Sequence, residues 1–351
     1  MAQLEKPGSD IPSEAIPSSV GPLSWPPSLD KENNRKRGMF RRVVDSPKLL
    51  AHFISRFANT ELNEEVSRVS GRIFVTNQSL VQAIETNGPD LDPYIEAVIP
   101  LYGSGIPQLN DVSLVYLGNN TESRLLPQAE VDHELEVAKS IFASDEPPRY
   151  HSHEGIDFTV IDESLRNNAE IQRQFVDLYS VFNWNDDDVT RLLNNRNNLL
   201  VGAFNQGLLI STGMAERAEI TLIRSNERFT LVMYEITEAA TREEYRGNGL
   251  YFAVALIINR LLTETNANLV FGESNLSAPG VLKAAYRQGR HSTLKNLSLL
   301  GLTEKPLRQP VRISGGINDT RPKHLKNDLL VTYLVRDELI KKHGRPNSKT
   351  T

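Results

Sequence analysis

The sequence predicts a mixed α/β protein with two structured domains, a smaller one over residues 46–150 and a larger one over residues 151–345. Three observations support this. The chain has 351 residues, and a domain usually takes roughly 150. Its hydrophobic share of 39% and charged share of 24% suit a globular protein with some extra polar chain. Helical apolar spacing and hairpin signals alternate along it, which is the pattern of mixed α/β folds.

Residues 1–45 read as a disordered tail. Pro7, Pro12, Pro17, Pro22, Pro26 and Pro27 stand among Ser, Gly and charge, a composition that buries too little apolar surface to offset its ordering entropy. The basic runs Arg35-Lys36-Arg37 and Arg41-Arg42 read as its solvated end. In the smaller domain, Lys48–Asn59 has Leu49, Leu50, Phe53, Ile54 and Phe57 at helical spacing. Arg72–Thr76 reads as a strand, and Ser79–Thr86 as a helix stopped by Asn87-Gly88-Pro89. Tyr94–Pro100 and Val112–Leu117 read as two more strands.

The larger domain opens with a helix over Ile171–Phe182 and a short one over Asp186–Asn194, whose aspartates cap its start. Leu199–Phe204 and Leu208–Thr212 form a hairpin about Asn205-Gln206-Gly207. Ile220–Ile223 and Phe229–Glu235 form another. Asn268–Phe271 and Leu329–Leu334 are later strands, and residues 346–351 a second disordered tail.

Composition excludes several chemistries. The chain has no cysteine, so disulfides, thiolate metal sites and a cysteine nucleophile are out. The net charge of -5 offers no global basic field for nucleic acid. The longest apolar run, near Leu250–Leu262, contains Asn259 and Arg260 and falls short of the ~20 residues that a membrane span needs. The N-terminus has no apolar signal core, so a cytoplasmic location is expected. His151, His153 and Glu154 form a His-x-His-Glu run. With no third ligand motif nearby it reads as a polar linker, and no metal is expected.

Tyr234–Leu262 is the most informative stretch. A strand ends, Arg246-Gly247-Asn248-Gly249 makes a turn, and an apolar helix starts at Leu250. Unpaired first-turn amides and the positive end of the helix dipole favour a phosphate or pyrophosphate there. Two glycines let the backbone approach it closely. There is no Gly-x-x-x-x-Gly-Lys-Ser/Thr run, and a dinucleotide fingerprint would need glycine at Phe252.

Glu244–Leu250 resembles the acyl-CoA pyrophosphate loop of the GNAT superfamily of N-acetyltransferases, whose pattern is Gln/Arg-x-x-Gly-x-Gly/Ala. Arg246 and Gly249 match it, while Tyr251 replaces the usual small sixth residue. The stretch from Glu235 to Leu250 is similar to the β-lysine N-acetyltransferase branch. So are Leu178 to Phe182, Ser277-Ala278, Ile313-Ser-Gly-Gly-Ile, Glu96–Pro100 and Asp111–Leu117. The resemblance spans roughly residues 70–335. It implies a central, mostly antiparallel sheet splayed near the loop. It also implies acetyl-CoA as co-substrate, held by Ala239, Ala240, Thr241, Arg246, Gly247, Asn248, Gly249, Leu250 and Tyr251, with Asn275 on the pantetheine arm or capping a helix. The acceptor would be an amine of a small amino-acid-like metabolite. Neither nucleic acid nor membrane is an expected partner, and a homodimer is left open.

Without cysteine, transfer would run directly from thioester to amine. An alkyl ammonium, with a pKa near ~10.4, must first lose a proton, so a strand carboxylate is the expected base. Glu238 is preferred, with Glu235 second. Three residues apart, the two face opposite sides of a regular strand. The resemblance implies Tyr286 as the acid toward the leaving thiolate, with a half-buried packing tyrosine as the competing reading. Trp184, Asp186 and Asp187 are expected to wall the acceptor site, with helix capping as the competing reading of the aspartates. A non-catalytic acyl-CoA sensor and a protein N-acetyltransferase are the alternatives.

Overall fold

The computed structural model describes residues 28–30, 35–60, 62, 68–120, 127–144, 153–180, 184–308 and 328–344. The fold is mixed α/β, as the sequence predicts. In the first half the order is β1 (Ser28–Asp30), β2 (Arg35–Val44), α1 (Pro47–Ala58), β3 (Arg68–Thr76), α2 (Asn77–Leu91), β4 (Ile95–Pro100), β5 (Val112–Asn120) and α3 (Gln128–Phe142). There follow β6 (Ile156–Val160), α4 (Glu163–Arg166), α5 (Ala169–Tyr179), α6 (Asp186–Asn194), β7 (Leu199–Asn205), β8 (Leu208–Arg224) and β9 (Glu227–Thr241). The chain then gives α7 (Leu250–Thr263), β10 (Leu269–Asn275), α8 (Pro279–Arg287), β11 (His291–Ser292), α9 (Thr293–Leu299), β12 (Leu329–Val335) and α10 (Arg336–His343).

One sheet carries all these strands, in the order β11-β12-β10-β9-β8-β2-β3-β5-β4, with β1 on β2 and the β6–β7 pair on β8. Most pairings are antiparallel. β2–β3, β2–β8 and β9–β10 are parallel. The two halves meet where Arg42 of β2 pairs with Ile223 of β8. They also share a core: Phe74, Leu114 and Tyr116 pack in one cluster with Leu231, Met233, Phe271 and Tyr333. Helices α1 and α2 cover the first half's other face. In the second half α7 covers one face, and α5 with α6 the opposite one.

Several expectations change. The expected tail through residue 45 ends earlier, because Ser28–Asp30 and Arg35–Val44 are strands. The apolar residues of β2 explain this: Val43 and Val44 are buried in two different clusters. The expected stop of α2 is present, since Asn87 leaves helical geometry (φ −136°), but a second helical stretch follows the kink and reaches Leu91. The two expected strands at Leu208–Thr212 and Ile220–Ile223 are one, β8, whose exposed Glu216 and Glu219 make its middle look like a loop. An unexpected helix, α3, buries Val131, Leu135, Ala138 and Ile141 at helical spacing. The hairpin signal holds. Gln206 and Gly207 both have positive φ, 50° and 82°, as a type I′ turn requires. Residues 1–27, His151, Phe182, the Ile313 segment and residues 346–351, on which expectations also rest, lie outside the described residues.

A buried ion pair ties the smaller half to the chain ahead of β12. Glu96 sits at a bulge of β4, and its Oε2 accepts from Arg68 Nη2 at 2.6 Å. Both side chains are almost fully buried. Asn120 Nδ2 and the Arg308 amide also reach Glu96 Oε1, at 3.4 and 3.3 Å. Gly118 makes room for this carboxylate, since a Cβ there would lie 2.0 Å from Glu96 Cδ. Gly118→Ala is therefore expected to cost about 1–3 kcal/mol, the usual scale of overpacking. Urea denaturation of the two proteins checks it.

Candidate active site

β9 and β10 run side by side only where Met233, Tyr234 and Glu235 pair with Leu269, Val270 and Phe271. Beyond that point β9 continues to Thr241 against β8, and β10 to Asn275 against β12. The strands part and leave a fork. A bulge lies just past the parting point. Met214 of β8 pairs with Thr237, and Thr212 with Ala240. Glu238 and Ala239 therefore share the space opposite Gly213, and such a bulge bends its strand. It also changes which face a residue meets. Tyr234 and Ile236 pack toward α7, whereas Ala240 packs toward α5 and α6. The regular alternation of β9 thus ends at Thr237.

At the open end of the fork β9 leads into the turn Glu243–Tyr245 and then the glycine loop. Gly247 and Gly249 have φ of 82° and 72°, a region L side chains avoid. α7 starts at Leu250 with no side-chain cap and no acidic residue in its first turn. Its first amides, which lack intrahelical acceptors, face no competing carboxylate from their own turn. Arg246, Gly247 and Asn248 are exposed, and a Cβ on Gly247 would meet nothing within 4 Å. Gly213 lets α7 pack tightly on β8, because a Cβ there would stand 3.1 Å from Val254 Cγ1.

The loop is fixed by its neighbours. Arg246 Nε donates to the Thr241 carbonyl at 3.2 Å. His153 Nε2 is 3.0 Å from the Asn248 carbonyl. Asn205 Nδ2 donates to the Tyr245 hydroxyl at 3.1 Å, and the hydroxyls of Ser211 and Thr241 are 2.8 Å apart. An exposed, uncapped helix start with two left-handed glycines and a nearby arginine fits a pyrophosphate.

The closed end of the fork carries a charge cluster on the face turned to the smaller half. Arg72 of β3 pairs with Glu273 of β10 at 2.6 Å. Its guanidinium lies 4.7 Å from the Tyr116 ring centroid and 5.3 Å from that of Phe271. Burial would lower the Arg72 pKa, but the carboxylates of Glu273 and Glu235 outweigh it and hold the charge in place. Burial pushes the Tyr116 phenol well up, so it stays neutral. Arg72, Tyr116 and Glu273 join Glu235 at the fork, although only Glu235 stood out in the sequence. Their shared signal is a polar or charged residue inside an otherwise apolar strand.

The other expected site residues have the following surroundings. The Tyr286 hydroxyl donates to the Ser144 carbonyl, and its ring packs edge-on to Phe142 at 5.9 Å, which ties it to the end of α3. Asn275 Oδ1 accepts from the Ser277 amide at 3.1 Å and from its hydroxyl at 2.9 Å, a local turn ahead of α8. Trp184 stacks on Tyr179, with centroids 4.8 Å apart. Asp186 and Asp187 are exposed in the first turn of α6, where Asn185 and Asp188 form a capping box. Among the described residues no group of three or more His, Cys, Asp or Glu is placed to hold a metal ion. Among them, too, no helix is long and apolar enough to cross a membrane.

No family model matches the chain, and no curated protein matches it. Solved structures with partial likeness include a probable N-acyltransferase of Enterococcus faecalis. It is 19% identical over 36% of this chain, at a TM-score of 0.29, and the match spans 31% of that protein. A spermidine N-acetyltransferase chimera from Vibrio cholerae is 12% identical over 53% of this chain and 99% of its own, at a TM-score of 0.35. Arabidopsis thaliana NAA60 in complex with acetyl-CoA is 12% identical over 51% of this chain and 98% of its own, at 0.37.

Proposed function

We propose that the chain is an acyl-CoA-dependent N-acyltransferase of the GNAT type. One observation supports this above the rest: the parting of β9 and β10 at Glu235 and Phe271, with the glycine loop and the start of α7 at the open end. In this reading Gly247, Asn248, Gly249 and Leu250 offer amides to the pyrophosphate, and Arg246 adds positive charge. Ala239, Ala240, Thr241 and Tyr251 flank the arm. Transfer is direct: the amine nitrogen bonds the acyl carbon, the carbon–sulfur bond breaks, the amine loses a proton and the thiolate gains one.

The acceptor is a small amino-acid-like amine, as the β-lysine branch acetylates. The cluster of Arg72, Glu235 and Glu273 supports that reading, since a zwitterion needs both signs of charge near the fork. Glu238, whose backbone lies in the bulge, is the proposed base and Glu235 the second choice. Tyr286 is the proposed acid, and its hydroxyl must then release the Ser144 carbonyl. The division into residues 46–150 and 151–345 belongs to the same proposal, with the smaller half shaping the acceptor side.

A non-catalytic acyl-CoA sensor is the second reading, favoured by the bond that holds Tyr286 on Ser144. CoA release from acyl-CoA against a panel of amino acids, diamines and peptides distinguishes them. Release with a small zwitterionic amine is the expected result. Binding without turnover over the whole panel supports the sensor, and turnover with peptides alone supports a protein N-acetyltransferase.

A further inference from the structure

Arg290 is a buried cation without an anion. Its side chain is 5% exposed, and among the described residues no carboxylate pairs with it. The end of α8 fixes its position. Gly289 takes φ 75°, its amide donates to the Tyr286 carbonyl at 2.8 Å, and the Arg290 amide donates to the Ala285 carbonyl at 3.2 Å. This is a Schellman closure, and it turns the Arg290 side chain toward the fork. A Cβ on Gly272 of β10 would lie 2.9 Å from Arg290 Nη1 and 3.2 Å from the Ile236 carbonyl of β9. Arg290 thus stands at the vertex, where the strands have just parted, on the α7 side.

Its surroundings are polar and incompletely paired. Arg290 Nε and Asn259 Nδ2 both donate to Gln288 Oε1 at 3.1 Å. Arg290 Nη2, Gln288 Nε2 and Asn259 Oδ1 are buried with no hydrogen-bond partner. Asn259 and Gln288 are themselves nearly inaccessible. The other titratable groups nearby are no counter-ion: burial raises the Tyr251 phenol and keeps it neutral, and burial pulls the His343 imidazole down. Lys342 is cationic and bonds the Gly289 carbonyl, and His343 Nε2 lies 2.9 Å from the Gln288 carbonyl. A buried charge normally has a partner, and an unpaired one is costly.

The route of a donor explains what would pair it. Five residues of β9 separate Thr241, beside the loop, from Ile236 at the vertex. At about 3.3 Å per residue that is roughly 17 Å, comparable to an extended pantetheine arm. On that route a donor anchored at the loop would bring its acyl group to the vertex beside Arg290. We propose that this acyl group ends in a carboxylate: the donor is a dicarboxylic acid mono-thioester of CoA, of the succinyl or glutaryl class, with its free carboxylate held by Arg290 and Gln288. The carbon–sulfur bond breaks and the amide forms as in any acyl transfer, and the distal carboxylate takes no part in the bond changes. The inference rests on the acyl-CoA reading and narrows its donor.

Calorimetric titration of the full chain with acetyl-CoA and with succinyl-CoA tests this, alongside Arg290→Met and Arg290→Lys. A charge-assisted hydrogen bond is worth about 1.5–3 kcal/mol, so succinyl-CoA is expected to bind the natural chain roughly 10- to 100-fold tighter than acetyl-CoA. Arg290→Met is expected to abolish that preference, leave acetyl-CoA affinity within about twofold, and keep or raise the melting temperature of the ligand-free protein, since it replaces an unpaired buried charge with an apolar side chain. Arg290→Lys should retain part of the preference. Equal affinity of the natural chain for the two donors overturns the inference and leaves the acyl-CoA reading standing. Failure to bind either donor or CoA overturns both. A large fall in the melting temperature of Arg290→Met assigns the arginine to the fold and overturns the inference alone.

Discussion

Glu238→Gln is expected to lower kcat by roughly 10²–10⁴-fold at neutral pH, the usual range for loss of a general base. The change keeps the side chain's shape and leaves the loop amides untouched, so CoA affinity should hardly move. The pH profile separates proton transfer from positioning. As pH rises toward the ~10.4 of an alkyl ammonium, free amine forms without help, and the loss should shrink. An equal loss at high pH would assign Glu238 to positioning the acceptor. Unchanged turnover would remove it from the mechanism and move the base to Glu235, the last residue of β9 paired with β10.

Glu96→Ala is expected to destabilise the fold by about 3–5 kcal/mol, because it removes the carboxylate bonded to a buried charge and leaves only the more distant Glu273 and Asp328 to offset it. Arg68, 3% exposed, would lose its 2.6 Å partner, keeping the Asn120 side chain at 2.7 Å and the Arg308 carbonyl as neutral acceptors. A double variant, Arg68→Met with Glu96→Leu, should recover much of the loss, since a buried ion pair gains little over apolar packing of similar volume. Urea denaturation of the single and double variants measures the coupling. Additive losses would mean that the two side chains act independently.

The loop and its helix were legible because glycine and periodicity are local signals. Gly247 and Gly249 carry left-handed backbone in a sequence that already says strand, turn, helix. The fork was implied by family resemblance alone, because strand pairing is a long-range property: β9 meets β10 across α7. The bulge at Glu238 and Ala239 leaves no sequence mark, yet it ends the regular alternation of β9. Glu96, singled out as part of a motif, proves to be the buried partner of Arg68. Arg72, Tyr116, Glu273 and Arg290 escaped notice because each becomes unusual only beside residues far away in sequence. The β2 strand was hidden by its neighbourhood, where prolines and arginines outweigh Met39, Val43 and Val44.

Titration of CoA into the full chain and into Gly249→Val tests the central claim most directly, since CoA shares the pyrophosphate with every acyl donor and needs no assumption about the acyl group. Gly249 caps α7 at φ 72°, and a β-branched side chain there strains the turn that presents the amides. One CoA per chain is expected to bind the natural protein. For Gly249→Val affinity is expected to fall by at least tenfold, while the ligand-free protein loses only about 1–2 kcal/mol of stability, the cost of left-handed backbone at one residue. No binding by the natural chain, or equal affinity in both proteins, would contradict it.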